Sequence, residues 1–217
     1  MCQVNHSRVT FWVSVVIAAL IISIGYACGA EIPADANKYR RDLTRNAHMI
    51  WGLSAPVATF AAQIHQESGW RPDARSAYAY GLSQFTPGTA EWIGTLDPVL
   101  AWADAGNPVW ALRALVRYDR WLWDRTTVAS AATPCDRMAF SLSGYNGGIG
   151  YVIREQRLAA SAGLAPDRWW QNVELTCVKS RAEWACEENR GYPRRILLRL
   201  EPVYARAGWG LGVGCAQ

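Results

Sequence analysis

Apolar residues recur along this chain at helical rather than alternating spacings. Val57, Phe60 and Ile64 follow one another at steps of three and four, and one further step of three reaches Glu67. That pattern predicts an amphipathic helix capped by Ser54 and stopped by Gly69, with a carboxyl on its apolar face at the last turn. Tyr39, Leu43, Ala47 and Ile50 predict an earlier helix ending near Gly52. Asn107-Pro108 and Thr133-Pro134 each join a capping side chain to a proline, the combination that opens helices. The first predicts a helix through Leu112, Leu115, Tyr118 and Leu122, the second one through Met138 and Leu142, ended by the Gly144–Gly148 turn. Another helix is expected through Val152, and shorter ones over Thr89–Ile93 and, capped by Asp167, over Trp169. A last helix carries Ile196, Leu197, Leu200 and Tyr204, with Pro202 as a kink. Between Arg71 and Thr89 the Gly/Pro/Ser-rich stretch reads as loop or short hairpin. No period-two run is long enough for a sheet, and there is no repeat or low-complexity linker. The expectation is one mostly α domain over residues 36–210.

Residues 1–30 form a separate apolar segment, with Arg8 the only charged side chain ahead of the run from Val9 to Ala30. Its core from Phe11 to Tyr26 is short for a membrane span, and Ala27-Cys28-Gly29-Ala30 offers small residues for a signal peptidase. A cleaved export signal, an uncleaved N-terminal anchor and a lipoprotein at Cys28 are the alternatives, the last disfavoured by the poor lipobox Gly25-Tyr26-Ala27. All three place the remainder outside the cytoplasm, in the periplasm or cell envelope, with membrane contact only through this segment.

Composition narrows the partners. The 217 residues carry a net charge of +4, with 18% charged and 51% hydrophobic residues. A mild positive excess without any Lys/Arg block suits an anionic partner such as a cell-wall polymer or membrane surface and argues against nucleic acid. Twelve tryptophans fill a core and also offer platforms for sugar rings. Outside the first segment four cysteines remain. An even number in an exported chain points to two disulfides, Cys177–Cys186 as a local loop and Cys135–Cys215 as the other pair. Their spacings lack C-x-x-C and the histidines do not cluster with them, so neither metal nor cofactor is expected.

Glu67 is the centre of the candidate chemistry. A carboxyl on an apolar stripe is costly to ionise, so burial raises its pKa, and an acid still protonated near neutral pH is a general acid. The competing reading is a solvated or arginine-paired glutamate at a helix end. Three further motifs follow in order: Gly81-Leu82-Ser83-Gln84-Phe85, Gly144-Tyr145-Asn146-Gly147-Gly148, and Glu187-Glu188-Asn189-Arg190-Gly191-Tyr192. With Glu67-Ser68 they resemble the SLT-type lytic transglycosylases, a lysozyme-like family that cuts peptidoglycan. The resemblance covers roughly Ala58 to Leu197. It departs from the family pattern at Ser83 (usually Met, bordering the sugar groove), Gly144 (usually Ala) and Asn189 (usually Thr).

The resemblance implies a lysozyme-like fold and a set of roles. Glu67 is the single acid and base, and Ser68 hydrogen-bonds near the scissile sugar. Gln84 and Asn146 read acetamido and hydroxyl groups. Tyr145 and Phe85 supply apolar walls, with plain packing as the alternative, and Tyr192 directs its hydroxyl at Glu67. Arg190 is expected to make a structural ion pair, with Glu188 as its partner. A hydrolytic lysozyme on the same fold would need a second carboxylate, for which Asp73 is the candidate. A catalytically silent wall-binding module is disfavoured because Glu67 is intact. The biological setting stays open between phage lysis, wall remodelling and a secretion machine.

Overall fold

The computed structural model describes residues 31–215. The apolar segment at 1–30, with its expected export signal or anchor, lies outside the described residues. The described chain is mostly helical. Its strand-like features are isolated bridges, Arg75 with Tyr80 and Tyr80 with Phe85, in the stretch expected to be loop or hairpin.

The chain is built around α2 (Val57–Ser68), in which every residue from Val57 to Ile64 is buried. Its alanines Ala58, Ala61 and Ala62 let neighbours approach closely. The π-helical turn Arg194–Leu200 and α9 (Glu201–Arg206) pack along it, as does α1 (Ala36–Trp51). Helix α4 (Pro108–Trp123) packs against α1 and against α6 (Pro134–Gly147), and α6 in turn holds α7 (Ile149–Ser161) and α8 (Glu183–Pro193). Two short helices, α3 (Pro87–Gly94) and α5 (Thr126–Ala129), complete the set.

The expected caps are made where proline follows them. Asn107 Oδ1 accepts from the amides of Val109 and Trp110 at 2.9 and 3.4 Å. Thr133 Oγ1 accepts from the Asp136 amide at 3.0 Å and donates to its carboxylate at 2.6 Å, a reciprocal cap. Thr86 does the same work for α3, accepting from the Thr89 amide at 3.2 Å.

Five local expectations are corrected. Ser54 does not cap α2; Pro56 occupies that position without a side-chain bond, and the free amide of Ala58 is met at 2.9 Å by the carbonyl of Leu211. A segment distant in sequence thus replaces the local cap. Helix α6 stops within the expected Gly144–Gly148 stretch, but only at its end: Gly144 to Gly147 are helical and the stop comes where Gly148 adopts φ 91°. No helix forms over Trp169, because its amide and that of Trp170 are drawn at 2.9 and 3.4 Å to the carboxylate of Asp136. Helix α8 was not anticipated, since Glu183–Arg190 lacks a clear apolar stripe. It contains Pro193 and passes directly into the π-helical turn, where the wider coil accommodates a residue without a donor N–H. Arg190 does not pair with Glu188, two positions away and on another face. Glu188 pairs with Arg195 at 2.5 Å, and Arg190 donates to the Thr176 carbonyl at 3.1 Å.

Two disulfides close the fold, Cys135–Cys215 and Cys177–Cys186. The first ties the start of α6 to the C-terminal segment that caps α2. Peptide mapping of the oxidised, unreduced protein should recover both linked pairs and no free thiol at these four positions. Reduction should cost about 2–4 kcal/mol of stability per bridge, read by denaturant unfolding. A free thiol at any of the four would contradict the pairing.

Candidate active site

Glu67 sits at the end of α2 because the helix is stopped there. Gly69 takes the left-handed conformation at φ 59° and its amide returns to the His65 carbonyl at 2.9 Å. Trp70 follows at φ 65° and is fully buried. Its indole N–H donates to the Tyr204 hydroxyl at 2.6 Å, and its ring packs against Tyr39 and Trp209 at 6.1 and 5.4 Å. The buried tryptophan anchors the chain just beyond Glu67, so the carboxyl has a fixed origin.

Glu67 opens into a cleft of about 280 Å³ lined also by Gln84, Phe85, Thr86, Thr89, Tyr118, Tyr145, Asn146 and Gly148. Among the described residues lining it, Glu67 is the only acid. The phenol of Tyr192, from α8, donates to Glu67 Oε1. Burial raises the Glu67 carboxyl from 4.5 to about 8. The Tyr192 hydrogen bond opposes that rise; Glu188 adds to it and Arg195 opposes it. Desolvation wins because the countercharge belongs to an already paired arginine. Burial, then the nearby Glu67, also raises the Tyr192 and Tyr145 phenols far above their usual range. Both stay un-ionised and serve only as neutral hydrogen-bonding groups.

The other predicted residues divide. The hydroxyl of Tyr145 donates to the Ser83 carbonyl at 2.7 Å. Its ring lies 5.4 Å from Phe85, 5.3 Å from Tyr118 and 6.4 Å, parallel, from Tyr192. These rings form one aromatic wall. Gln84, held at φ 48°, donates its amide N–H groups to the carbonyls of Ala74 and Gly81 at 3.1 and 2.9 Å. Both partners are acceptors, so the side chain's orientation is fixed and its oxygen remains as an acceptor. The loop that carries it requires glycine at Gly81, where φ is 81° and a Cβ would collide with the Ala105 carbonyl.

Asn146 is exposed on the last turn of α6. Its Oδ1 accepts from Asn189 Nδ2 at 3.1 Å, while Asn189 also donates to the Ser143 carbonyl at 2.9 Å and accepts from the Ser143 hydroxyl at 2.7 Å. Asn189, read in the sequence only as a departure from the family pattern, is therefore the residue that orients Asn146. Ser68 is not brought to the cleft surface: it is buried, and its hydroxyl donates to the Ile64 carbonyl at 3.2 Å. Ser83 likewise faces inward, donating to the Ala111 carbonyl at 3.0 Å, so its side chain does not border the groove. Asp73 is exposed and outside the cleft lining. Thr86, Thr89 and Tyr118 were missed as cleft residues. Thr86 was legible as a helix cap, but nothing in the sequence shows that this helix start faces Glu67.

Residues 50–165 match the family described as Transglycosylase SLT domain. Similar curated proteins include the membrane-bound lytic murein transglycosylase F of Marinobacter nauticus, 32% identical over 71% of this chain and 28% of its own length. The proteins of the same name from Maricaulis maris and Vibrio cholerae are 34% and 33% identical over 62% and 69% of this chain. The chain spans about 28% of the length of the first of these relatives.

The raised Glu67 pKa has a consequence for stability. A carboxyl near 8 when folded and near 4.5 when unfolded contributes stability that is fully present below the unfolded value. That contribution is lost as pH rises through the folded one. Glu67→Gln removes the titration while keeping an acceptor for Tyr192. The variant should match the wild type at pH 4 and exceed it at pH 9 by up to about 5 kcal/mol. Thermal unfolding at the two pH values checks this; a constant difference would mean that the carboxyl is not desolvated.

Proposed function

Because the chain belongs to the SLT transglycosylase family, we propose that it is a lytic transglycosylase. It cleaves the β-1,4 bond between N-acetylmuramic acid and N-acetylglucosamine in peptidoglycan, with formation of a 1,6-anhydro sugar, in cell-wall remodelling or lysis. The observation that carries this reading is a single desolvated acid in a cleft otherwise lined by aromatic, amide and hydroxyl groups. We read the helical fold as lysozyme-like, with the catalytic domain over residues 36–210 and residues 1–30 as export signal or anchor. Two disulfides support an oxidising, extracytoplasmic setting, and no cofactor is invoked.

The chemistry follows from having one carboxyl for two proton transfers. Glu67, protonated at neutral pH, gives its proton to the glycosidic oxygen as the C1–O4 bond breaks. Electron deficiency at the anomeric carbon is met by the oxygen of the muramic acid's own acetamido group, which removes the need for a protein nucleophile. Glu67, now ionised, takes the proton from the same sugar's 6-hydroxyl as O6 bonds to C1. Tethering gives that hydroxyl an effective concentration of about 10⁵ M or more, so it outcompetes water. Tyr192 holds the carboxyl through both transfers. Tyr145, Phe85 and Tyr118 provide an apolar wall for sugar faces. The free oxygen of Gln84 and the Asn189-oriented amide of Asn146 supply polar contacts to the substituents. Ser68 acts indirectly, pinning the last turn of α2.

Digestion of purified cell walls followed by mass spectrometry tests the reaction. The anhydro product should dominate, lighter than the hydrolytic product by one water, and Glu67→Gln should bind walls without cleaving them. A dominant reducing-end product would assign the chain to the hydrolytic lysozymes instead.

Tyr192→Phe should lower kcat about tenfold with thermal stability nearly unchanged, since the ring stays and one hydrogen bond goes. That bond favours the ionised form of Glu67, so its loss should also move the alkaline limb of the pH–rate profile to higher pH. An unmoved limb would show that the phenol does not act on Glu67.

A further inference from the structure

A second carboxyl lies beneath the cleft, within electrostatic reach of Glu67. Asp119, on α4, is fully buried, and no cation pairs with it among the described residues. Its contact is with Gln63, one turn before Glu67 on α2: Gln63 Nε2 donates to Asp119 Oδ1 at 3.4 Å. The remaining oxygens of the two side chains, Asp119 Oδ2 and Gln63 Oε1, are both buried and both without a hydrogen-bond partner. An ionised carboxylate only accepts, and so does an amide oxygen. Ionisation would therefore leave two orphaned acceptors and an unpaired buried charge, each a substantial cost. One proton removes both problems.

We infer that Asp119 stands as an un-ionised acid whose Oδ2–H is donated to Gln63 Oε1, forming with the existing bond a paired acid–amide ring that locks α2 to α4 under Glu67. In this state Asp119 is a positioning residue. It fixes the helical turn that carries Glu67, and by staying neutral it adds no fixed negative charge beside the reacting carboxyl. The titratable groups facing it are consistent with that state. Tyr118 adjoins it on α4, Tyr145 comes from α6 and Tyr192 from α8; all three are phenols pushed up by burial, Tyr118 to about 12. Glu67 is the remaining group, and none of these supplies a positive charge to stabilise a carboxylate. Burial and the proximity of Glu67 both push the Asp119 carboxyl upward, against the Gln63 hydrogen bond. Asp119 is thereby excluded from substrate contact, so it does not supply the second carboxylate that a hydrolytic mechanism would require.

The proposal's catalytic consequence rests on Glu67 being the reacting group; the protonation state itself does not. Infrared difference spectra of the full chain at pH 7 should show the carbonyl stretch of an un-ionised carboxyl that is lost in Asp119→Asn and retained in Glu67→Gln. Asn can present an N–H to Gln63 Oε1 and accept from Gln63 Nε2, so Asp119→Asn should unfold within about 3 °C of the wild type. Asp119→Leu strands the amide of Gln63 and should lower Tm by about 5 °C or more, with partial recovery in the Asp119→Leu/Gln63→Leu double variant. On cell walls, Asp119→Asn should keep kcat within about threefold and leave the alkaline limb in place. Retention of the whole carboxyl band in Asp119→Asn, failure of that variant to fold, or movement of its alkaline limb to lower pH would each overturn the proposal. If no variant or wild type cleaves walls, the infrared and unfolding results still decide it, and the proposed reaction alone fails.

Discussion

The hydrogen bond from Tyr192 to Glu67 joins two helices at the floor of the cleft, and most of the surrounding structure serves to hold its two ends. A carboxyl withdrawn from water is unfavourable in its charged form and free to rotate in its neutral one. A single buried donor both limits the first problem and removes the second. The donor must come from an element that cannot drift. Tyr192 stands one residue before Pro193 and the π-helical turn, whose side chains Ile196 and Leu197 are buried against α2. The phenol is therefore fixed by its direct continuation into a turn that packs on the helix bearing its acceptor.

The other end is held by redundancy. Trp70 anchors the chain after Glu67, the Leu211 carbonyl caps the start of α2, and Thr59 donates at 2.6 Å to the buried carboxyl of Glu201, which also accepts from the Gly214 amide at 3.0 Å. Each tie is to the C-terminal part of the chain, and Cys135–Cys215 secures that part to α6. The helix bearing the acid is thus clamped along its length before any substrate arrives. Rigid placement of a reacting group is the condition under which proximity becomes rate.

The cleft's opposite wall depends on relays of a different kind. Asn189 fixes Asn146, and Ser143 fixes Asn189; Gln84 gives both amide hydrogens to backbone and keeps its oxygen. Side chains ordered by hydrogen bonds made in advance lose little freedom on meeting a ligand. Polar groups at a sugar-binding surface gain from this, because water competes for every unsatisfied donor and acceptor they present.

Pairing by remainder assigned Cys135 to Cys215, while local rules, read along the sequence, determined the helical class, the proline-led starts at Pro108 and Pro134, the stop at Gly69, the short Cys177–Cys186 loop and the placing of Glu67 on a buried face. They succeed because each depends on neighbours a few residues away: a cap, a period, a missing N–H. The motifs were legible for a related reason, since their order along the chain marks a family even when their geometry is unseen. Other features were decided only by packing. Leu211 displaced Ser54 as the cap of α2, Asp136 drew in the Trp169 amide and suppressed a helix, and α8 formed on a segment with no apolar stripe. Ser68 and Ser83 turned inward, Asn189 became the support for Asn146, and Asp119 met Gln63 across 56 residues. Except at Ser68, whose hydroxyl returns to the Ile64 carbonyl one turn back, the deciding partner is distant in sequence. A buried donor or acceptor takes whichever partner the fold brings within reach, and which partner that will be is a property of the tertiary structure alone.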